Sequence, residues 1–482
     1  MNSNKLNSKE YEDLDGLDLV RGIRDRQFSA LEVMDCAIAK AESLNHKLNA
    51  ISWQTYEQAR EQAQYLDNNL DKIDAPLAGV PFLFKDISAV KGLPQSCHSR
   101  LFSDEIATSN AAIVDRFVDA GLISLGKSNT PELCLTVTTE SVFAGACHSP
   151  WNLNHSTGGS SGGAAAAVAS RIVPIAHATD GGGSIRIPAS CCGVFGLKPS
   201  KGLTPVEAKL AASWSGMSVG HVVSRSVRDS AAVLDAIKLE QPQLYPLPPG
   251  QNSFLANLTD VSDLRIAIQR EHPLGAKVHP DVLASLEVTA DLCRQLGFQV
   301  HDEAPVINYE LLADCTSKII NIHVAQTIFP QLEKRGLDLD TELLEEGTRR
   351  MAKRGAEMNA ADYLVAADEI KAFSRQMETF HDYFDILVSP VISQPPAPLG
   401  WLDMNSDDVK TYIRRFLSYS GFCSLFNATG QPSMSIPLHQ TDDQLPIGVM
   451  FSAKWGADLE LLQLAYQLEQ EVDWNSRRPQ EM

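Results

Sequence analysis

The 482-residue sequence lacks any window approaching the ~20 uninterrupted apolar residues of a membrane-spanning helix, so no membrane association is expected. Its opening, "MNSNKLNSKEYEDLDGLD", lacks the basic-then-apolar order of a signal peptide, and a cytoplasmic protein is expected. Positive charge is in deficit: 41 Lys and Arg against 60 Asp and Glu leave a net charge of −19. With no basic block to compensate locally, nucleic acid is an improbable partner. The nine cysteines are odd in number and include no C-x-x-C, so reduced and mostly buried thiols are expected in place of a disulfide framework. The twelve histidines form neither an H-E-x-x-H motif nor a His/Cys cluster, so no metal and no other cofactor is expected. There is no internal repeat.

What is present is an ordinary globular composition, 44% apolar and 21% charged, at a length that by itself suggests about three domains. "SALEVMDCAIAKAESL" opens with a capping box, Ser29 and Glu32, and sets Val33, Ala37, Ala41 and Leu44 on one helical face. Short apolar runs from Val80 to Phe84 and from Leu122 to Leu125 read as buried strands, ending on Lys85 and on Gly126–Lys127. The helical spacing of "AAIVDRFVDAG" between them makes a strand, helix, strand unit of an α/β layer. Further on, "GGAAAAVAS" predicts a helix of small side chains, "RIVPIAHAT" a strand, and "IPASCCG" a short helix with Gly193 past its end. The Pro-rich stretch from Glu240 to Gln251 is the best candidate boundary, and the charge-rich segment from Leu332 to Phe384 reads as an outer helical layer. "FNATGQPSMSIPL" and "LPIGVMFSA" predict a strand pair near the end.

Several nucleophile patterns can be drawn, and most fail on context. Gly158, Ser160, Gly162 and Gly159, Ser161, Gly163 both spell G-x-S-x-G, but no strand precedes them as a nucleophile elbow requires. Ser88 with Lys91 and Ser124 with Lys127 spell S-x-x-K without the companion motifs of β-lactamases. "GGSSGGAA" resembles a phosphate loop until Ala164 and Ala165 stand where Lys and Ser/Thr belong. The stretch "HATDGGGSIRIPAS" is a better candidate. The amides of Gly181, Gly182, Gly183 and Ser184, in a turn leading into a helix, can form a nest for an oxyanion while Ser184 attacks the carbonyl carbon. A plain tight turn with a solvated serine fits those residues equally. Asp180 and Arg186, flanking the turn, read as scaffolding that hydrogen-bonds the loop and each other.

The run "STGGSSGGAAAAVASRIVPIAHATDGGGSIRIPASCCGVFGLKPSKG", with "GVPFLFKDI" and "GKSNTPELCL" before it and "FNATGQPSMSIPL" after it, resembles the amidase signature family. The likeness extends in order from the first helix to the C-terminal "RRPQ". That family works with a Ser, cis-Ser, Lys triad. The resemblance implies Ser184 as nucleophile, Ser160 as the bridging serine in a cis peptide, and Lys85 as the base. Residue physics alone does not choose Lys85 over Lys127, since both end apolar runs. Buried beside a strand, Lys85 can be neutral and draw a proton from Ser184 through Ser160, leaving an acyl-Ser184 ester for water to cleave. Thr179 and Ser161 are implied supports, and Cys134 is implied to lie beside the substrate, although a buried core cysteine fits it as well. Gly181 is a departure, because many members carry a bulkier residue there.

The fold implied is α/β: one amidase domain over residues 1–482, a large mixed twisted sheet covered by helices on both faces. Its signature core would span about 75–205 and its outer helical layer about 309–385. "VTTE", "SPWN" and "RRPQ" are similar to the aminohexanoate cyclic-dimer hydrolase branch, more than to the glutaminyl-tRNA amidotransferase subunit, whose usual run after Lys-Pro is absent from "KPSKGLTPVEAKL". The expected function is a stand-alone amidase for a neutral carboxylic amide, linear or cyclic, compatible with a homodimer. The alternatives are an amidotransferase subunit and a catalytically idle interaction protein. Selectivity is expected from the helical layer after Asn308 and the Pro-rich loop after Val388.

Overall fold

Fully buried apolar runs become strands here because a strand shielded on both faces has no need of alternating polarity. In the computed structural model the described residues are 6–206, 211–249 and 253–480. Residues 207–210 of "KPSKGLTPVEAKL" and 250–251 of the Pro-rich connector lie outside them.

Strands β1 (Ile51–Gln54), β2 (Pro81–Lys85) and β3 (Ile123–Ser128) form a three-stranded sheet in the order β1-β3-β2, with β2 and β3 parallel. Eight further strands make a mixed sheet: β4 (Ile175–Asp180), β5 (Phe195–Lys198), β6 (Val219–Ser224), β7 (Arg265–Ile268), β8 (Gln299–His301), β9 (Ile386–Pro390), β10 (Ser433–Gln440) and β11 (Pro446–Ala453). Their order is β8-β7-β9-β11-β10-β5-β6-β4, in which β7 runs parallel to β8 and β9 and the other pairs are antiparallel. The strand, helix, strand unit expected around Lys85 is therefore present, but in a smaller sheet beside the edge strand β4. A backbone-to-side-chain hydrogen bond joins the two sheets, Lys85 N–H donating to His177 Nδ1 at 3.3 Å.

The large sheet draws strands from both sides of the Pro-rich connector. Helix α1 (Ala30–Leu48) begins with the predicted capping box of Ser29 and Glu32, and buries Val33, Ala37 and Ala41. Helix α2 (Gly162–Ala169) is buried at every residue. Its glycines permit that approach: a Cβ on Gly163 would collide with Ala50 O and Asn129 N. Helix α3 (Arg186–Cys192) ends on Gly193 in the left-handed conformation, φ 68°, a cap that glycine adopts without steric cost. Three helices follow, α4 (Tyr309–Arg335), α5 (Glu346–Glu357) and α6 (Ala360–His381), so the charge-rich segment from Leu332 takes in the end of α4 and the other two helices.

No helix of the described residues is long and apolar enough to cross a membrane. No cysteine among them forms a disulfide; eight of the nine are buried and Cys36 is half-buried.

Candidate active site

Three segments converge where the small sheet meets the edge of the large one: the end of β2, the serine loop before α2, and the glycine turn after β4. Lys85 Nζ lies 2.7 Å from Ser160 Oγ and 2.8 Å from Thr179 Oγ1, with Thr179 O at 3.5 Å. The Gly159–Ser160 peptide is cis. Ser161 Oγ accepts the Thr179 N–H and donates to Thr179 O, both at 3.4 Å, which holds the strand end against the serine loop.

Lys85 is completely buried and no carboxylate forms an ion pair with it among the described residues. Burial pushes its ammonium below the ordinary lysine range, and Cys134 and Asp180 oppose that only in part. Lys127, its rival by residue pattern, is equally buried but spent: it pairs with the Asp86 carboxylate and donates to Pro94 O at 2.7 Å.

The glycine turn divides its amides between two tasks. Gly183 N–H donates to Asp180 Oδ1 at 2.7 Å and Ile185 N–H to Oδ2 at 3.2 Å. Those of Gly181, Gly182 and Ser184 have no protein partner among the described residues. This corrects the expectation that all four amides face one point, because the Gly183 amide is turned into the scaffold. Its φ of 122° lies where side chains are disfavoured, and a Cβ there would meet Ile187 Cδ1 at 2.7 Å.

Asp180 and Arg186 form the expected brace. Arg186 Nε and Nη2 each donate to the carboxylate at 2.9 Å, and Asn427 Nδ2 donates to it at 2.8 Å. Burial alone would raise the Asp180 carboxyl, but the Arg186 guanidinium, Lys198 and Asn427 outweigh it and hold it well below the usual carboxylate range. Asn427 comes from the "FNATG" motif, which sequence reading noted without assigning the asparagine a task.

Ser160, Thr179, Gly181, Ser184 and Cys134 line one cavity of about 250 Å³. Cys134 is thus both buried and cavity-facing. Trp214 packs over Gly181: a Cβ on that glycine would stand 2.5 Å from Trp214 Cζ3. This explains the departure at position 181, since the indole occupies the space a bulkier residue would need. The hydroxyl of the next residue, Ser215, lies 2.9 Å from His323 Nε2 and 2.8 Å from Tyr363 Oη, tying the tryptophan loop to α4 and α6.

Of the two segments expected to shape selectivity, α4 lines the cavity through Val324, Thr327, Gln331 and Lys334, but the Pro-rich loop after Val388 does not. Its place is taken by Gln95, Phe102 and Glu105, which sequence reading missed, and by Leu133 and Leu135 on either side of the expected Cys134. Glu132 anchors the latter wall by accepting the Glu345 N–H at 2.9 Å. No group of three or more His, Cys, Asp or Glu residues among the described residues is arranged to hold a metal ion.

A family model described as Amidase matches residues 32–462. The chain is 32% identical over 484 residues to the 6-aminohexanoate-cyclic-dimer hydrolase of Paenarthrobacter ureafaciens, covering 95% of this chain and 94% of that protein. It is 30% identical over 479 residues to an acylamidase of Rhodococcus erythropolis, covering 97% of each. Among solved structures, a 6-aminohexanoate cyclic dimer hydrolase superposes with a TM-score of 0.90 at 31% identity, over 97% of this chain and 99% of that one. With a family match across most of its length and relatives at this identity from end to end, the chain belongs to the amidase family of amide-hydrolysing enzymes.

Proposed function

We propose that the chain hydrolyses a neutral carboxylic amide through an acyl ester on Ser184. The observation that carries this is a buried, unpaired lysine, Lys85, 2.7 Å from the hydroxyl of Ser160 at a cavity that Ser184 also lines. Neutral Lys85 has one lone pair and two N–H donors. With the donors directed at Thr179 Oγ1 and O, the lone pair is left for the Ser160 proton.

In the first half-reaction Ser184 Oγ bonds to the carbonyl carbon, its proton passes to Ser160, and the Ser160 proton passes to Lys85. The carbonyl oxygen, now an anion, takes hydrogen bonds from the free amides of Gly181, Gly182 and Ser184, each such donor being worth about 10²–10³ in rate. The C–N bond then breaks and the relay returns the proton to the leaving amine. In the second half, water replaces the amine as the group that gives up a proton, attacks the ester, and releases a carboxylic acid with Ser184 restored.

The cavity walls support a neutral substrate: Ile87, Phe102, Leu135, Trp214 and Val324 are apolar and no arginine lines the site. Resemblance to cyclic-dimer hydrolases and an acylamidase supports linear or cyclic amides. One sheet with strands from both sides of the connector supports reading residues 1–482 as one domain. The test is labelling by a fluorophosphonate together with turnover of aliphatic amides, anilides and lactams. Wild type should label on Ser184 and hydrolyse amides, and Ser184→Ala should do neither; an active Ser184→Ala variant overturns the mechanism.

A further inference from the structure

Three arginines meet at a second cavity, which shares no lining residue with the first. Arg171 follows α2, Arg225 follows β6, and Arg477 belongs to the C-terminal "RRPQ", to which the amidase chemistry gives no task. With Trp151 and Trp474 they line a space of about 20 Å³. Ala169 and Gly193 line it too, which sets it at the C-terminal ends of α2 and α3, the helices whose other ends follow the serine loop and the glycine turn. Arg171 and Arg225 are buried, and none of the three arginines pairs with a carboxylate among the described residues.

The carboxylates nearby are engaged elsewhere. Glu12 pairs with Lys40 at 2.5 Å and with Arg478 at 2.9 Å, Asp13 pairs with Arg478, and Asp15 pairs with Arg228 at 2.6 Å. Asp229 accepts the Gly16 and Leu17 N–H groups at 2.8 and 3.0 Å, and burial beside Asp15 raises its carboxyl well above the usual range, which makes it a weak counter-ion. The arginines bond backbone carbonyls instead. Arg171 and Arg225 share Glu12 O, Arg171 also reaches Asn475 O, Arg225 reaches Leu14 O, and Arg477 donates to Pro437 O and Leu438 O.

Carbonyls satisfy donors without cancelling charge. The C-terminal ends of α2 and α3 supply about half a negative charge each, so about two of the three positive charges stand uncompensated. Burial, with the charges of Arg225 and Arg478, pushes Arg171 down to about 10, a guanidinium still protonated at neutral pH. Arg225 Nε is a buried donor without a partner among the described residues. The indole N–H groups are taken: Trp151 donates to Cys192 O at 2.7 Å and Trp474 to Arg225 O at 3.0 Å. The donors left for a guest are therefore guanidinium N–H groups.

We infer that Arg171, Arg225 and Arg477 form a binding site for one monatomic halide anion, chloride in ordinary solution. A water in the cavity would satisfy Arg225 Nε and leave the charge in place, whereas a halide does both. A phosphate has too many atoms for a space of about 20 Å³. Because the same guanidinium groups hold the carbonyls of Glu12, Leu14 and Asn475, the ion fastens both ends of the chain to the far ends of the two catalytic helices. The site stands whether or not Ser184 acts as proposed.

The test exchanges sodium chloride or bromide for sodium methanesulfonate, whose anion exceeds the cavity, at constant ionic strength. A halide at ten times its Kd should raise the melting midpoint of the full chain by about 1–2 °C. Bromide bound beside Trp151 and Trp474 should quench tryptophan fluorescence with a saturable part, on top of the linear collisional part. Arg477→Gln, at the half-buried edge of the site, should raise the bromide Kd about tenfold. Anomalous scattering from bromide-soaked crystals of the wild type locates the ion without any variant, and its peak is expected between the Arg225 and Arg477 guanidinium groups. A melting midpoint indifferent to the halide with purely linear quenching would mean that water fills the cavity. A halide effect that Arg477→Gln leaves unchanged, or a bromide peak only outside this cavity, would equally overturn the site.

Discussion

A lysine becomes a base only where its ammonium is disfavoured, and at Lys85 this follows from burial without a counter-ion. The adjacent residue, Asp86, pairs with Lys127 instead. Two lysines that end similar apolar runs thereby have different partners, a carboxylate for Lys127 and hydroxyls for Lys85, which explains why the run pattern alone could not separate them. The sign for pH follows directly. Because burial lowers the Lys85 pKa, the neutral form is present above that lowered value, and kcat/KM should fall as pH drops through it. Thr179 accepts hydrogen bonds that favour the ammonium more than the amine. Thr179→Val should therefore lower the pKa further and move the acid limb of the profile to lower pH. Lys85→Ala should cost about 10²–10⁴ in kcat while leaving a folded protein, as judged by its melting transition. A pH–rate profile of kcat/KM for the three proteins checks all of this, and an unshifted limb in Thr179→Val would contradict the stated geometry of the lone pair.

Among the elements, those built from local patterns were legible and those built by convergence were not. The capping box at Ser29, the small-residue helix after Ser161 and the Gly193 cap each depend on a few neighbouring residues, and each stands in the structure. The tryptophan loop and the rim of the cavity join segments more than a hundred residues apart, for example Ser215 with His323, and no periodicity reports such a meeting. The three glycines of the turn show both cases at once. Gly183 is required by its own φ of 122°, a local cause, whereas Gly181 is required by Trp214, a distant one, and a Cβ on Gly182 would meet nothing within 4 Å. Consequently Gly181→Val should destabilise the protein by about 1–3 kcal/mol through overpacking against the indole, and Trp214→Ala in the same chain should recover part of it. Denaturant unfolding of both single variants and the double variant measures the coupling; strictly additive losses would mean that the two residues do not share that space.

At the scale of the whole molecule, the brace that shapes the turn reaches far along the chain yet remains within it. Arg186 bonds Asp180 and Asn427, Ser215 bonds α4 and α6, and Glu132 bonds the start of α5. These contacts bring together segments from across the polypeptide, which spans 94% of the cyclic-dimer hydrolase it matches. An amidotransferase subunit would need a partner to receive ammonia, and an idle interaction protein would have no reason to leave three turn amides unbonded beside a buried lysine that pairs with no carboxylate among the described residues. The purified chain alone should accordingly label at Ser184 and turn over amides at a rate that neither a chelator nor added nucleic acid changes. Measuring that rate with and without EDTA, and with and without an RNA-charging partner complex, separates the readings. Activity that appears only with the complex would replace the stand-alone amidase by the transferase subunit, and activity abolished by chelation would require a group that the relay through Lys85 does not contain.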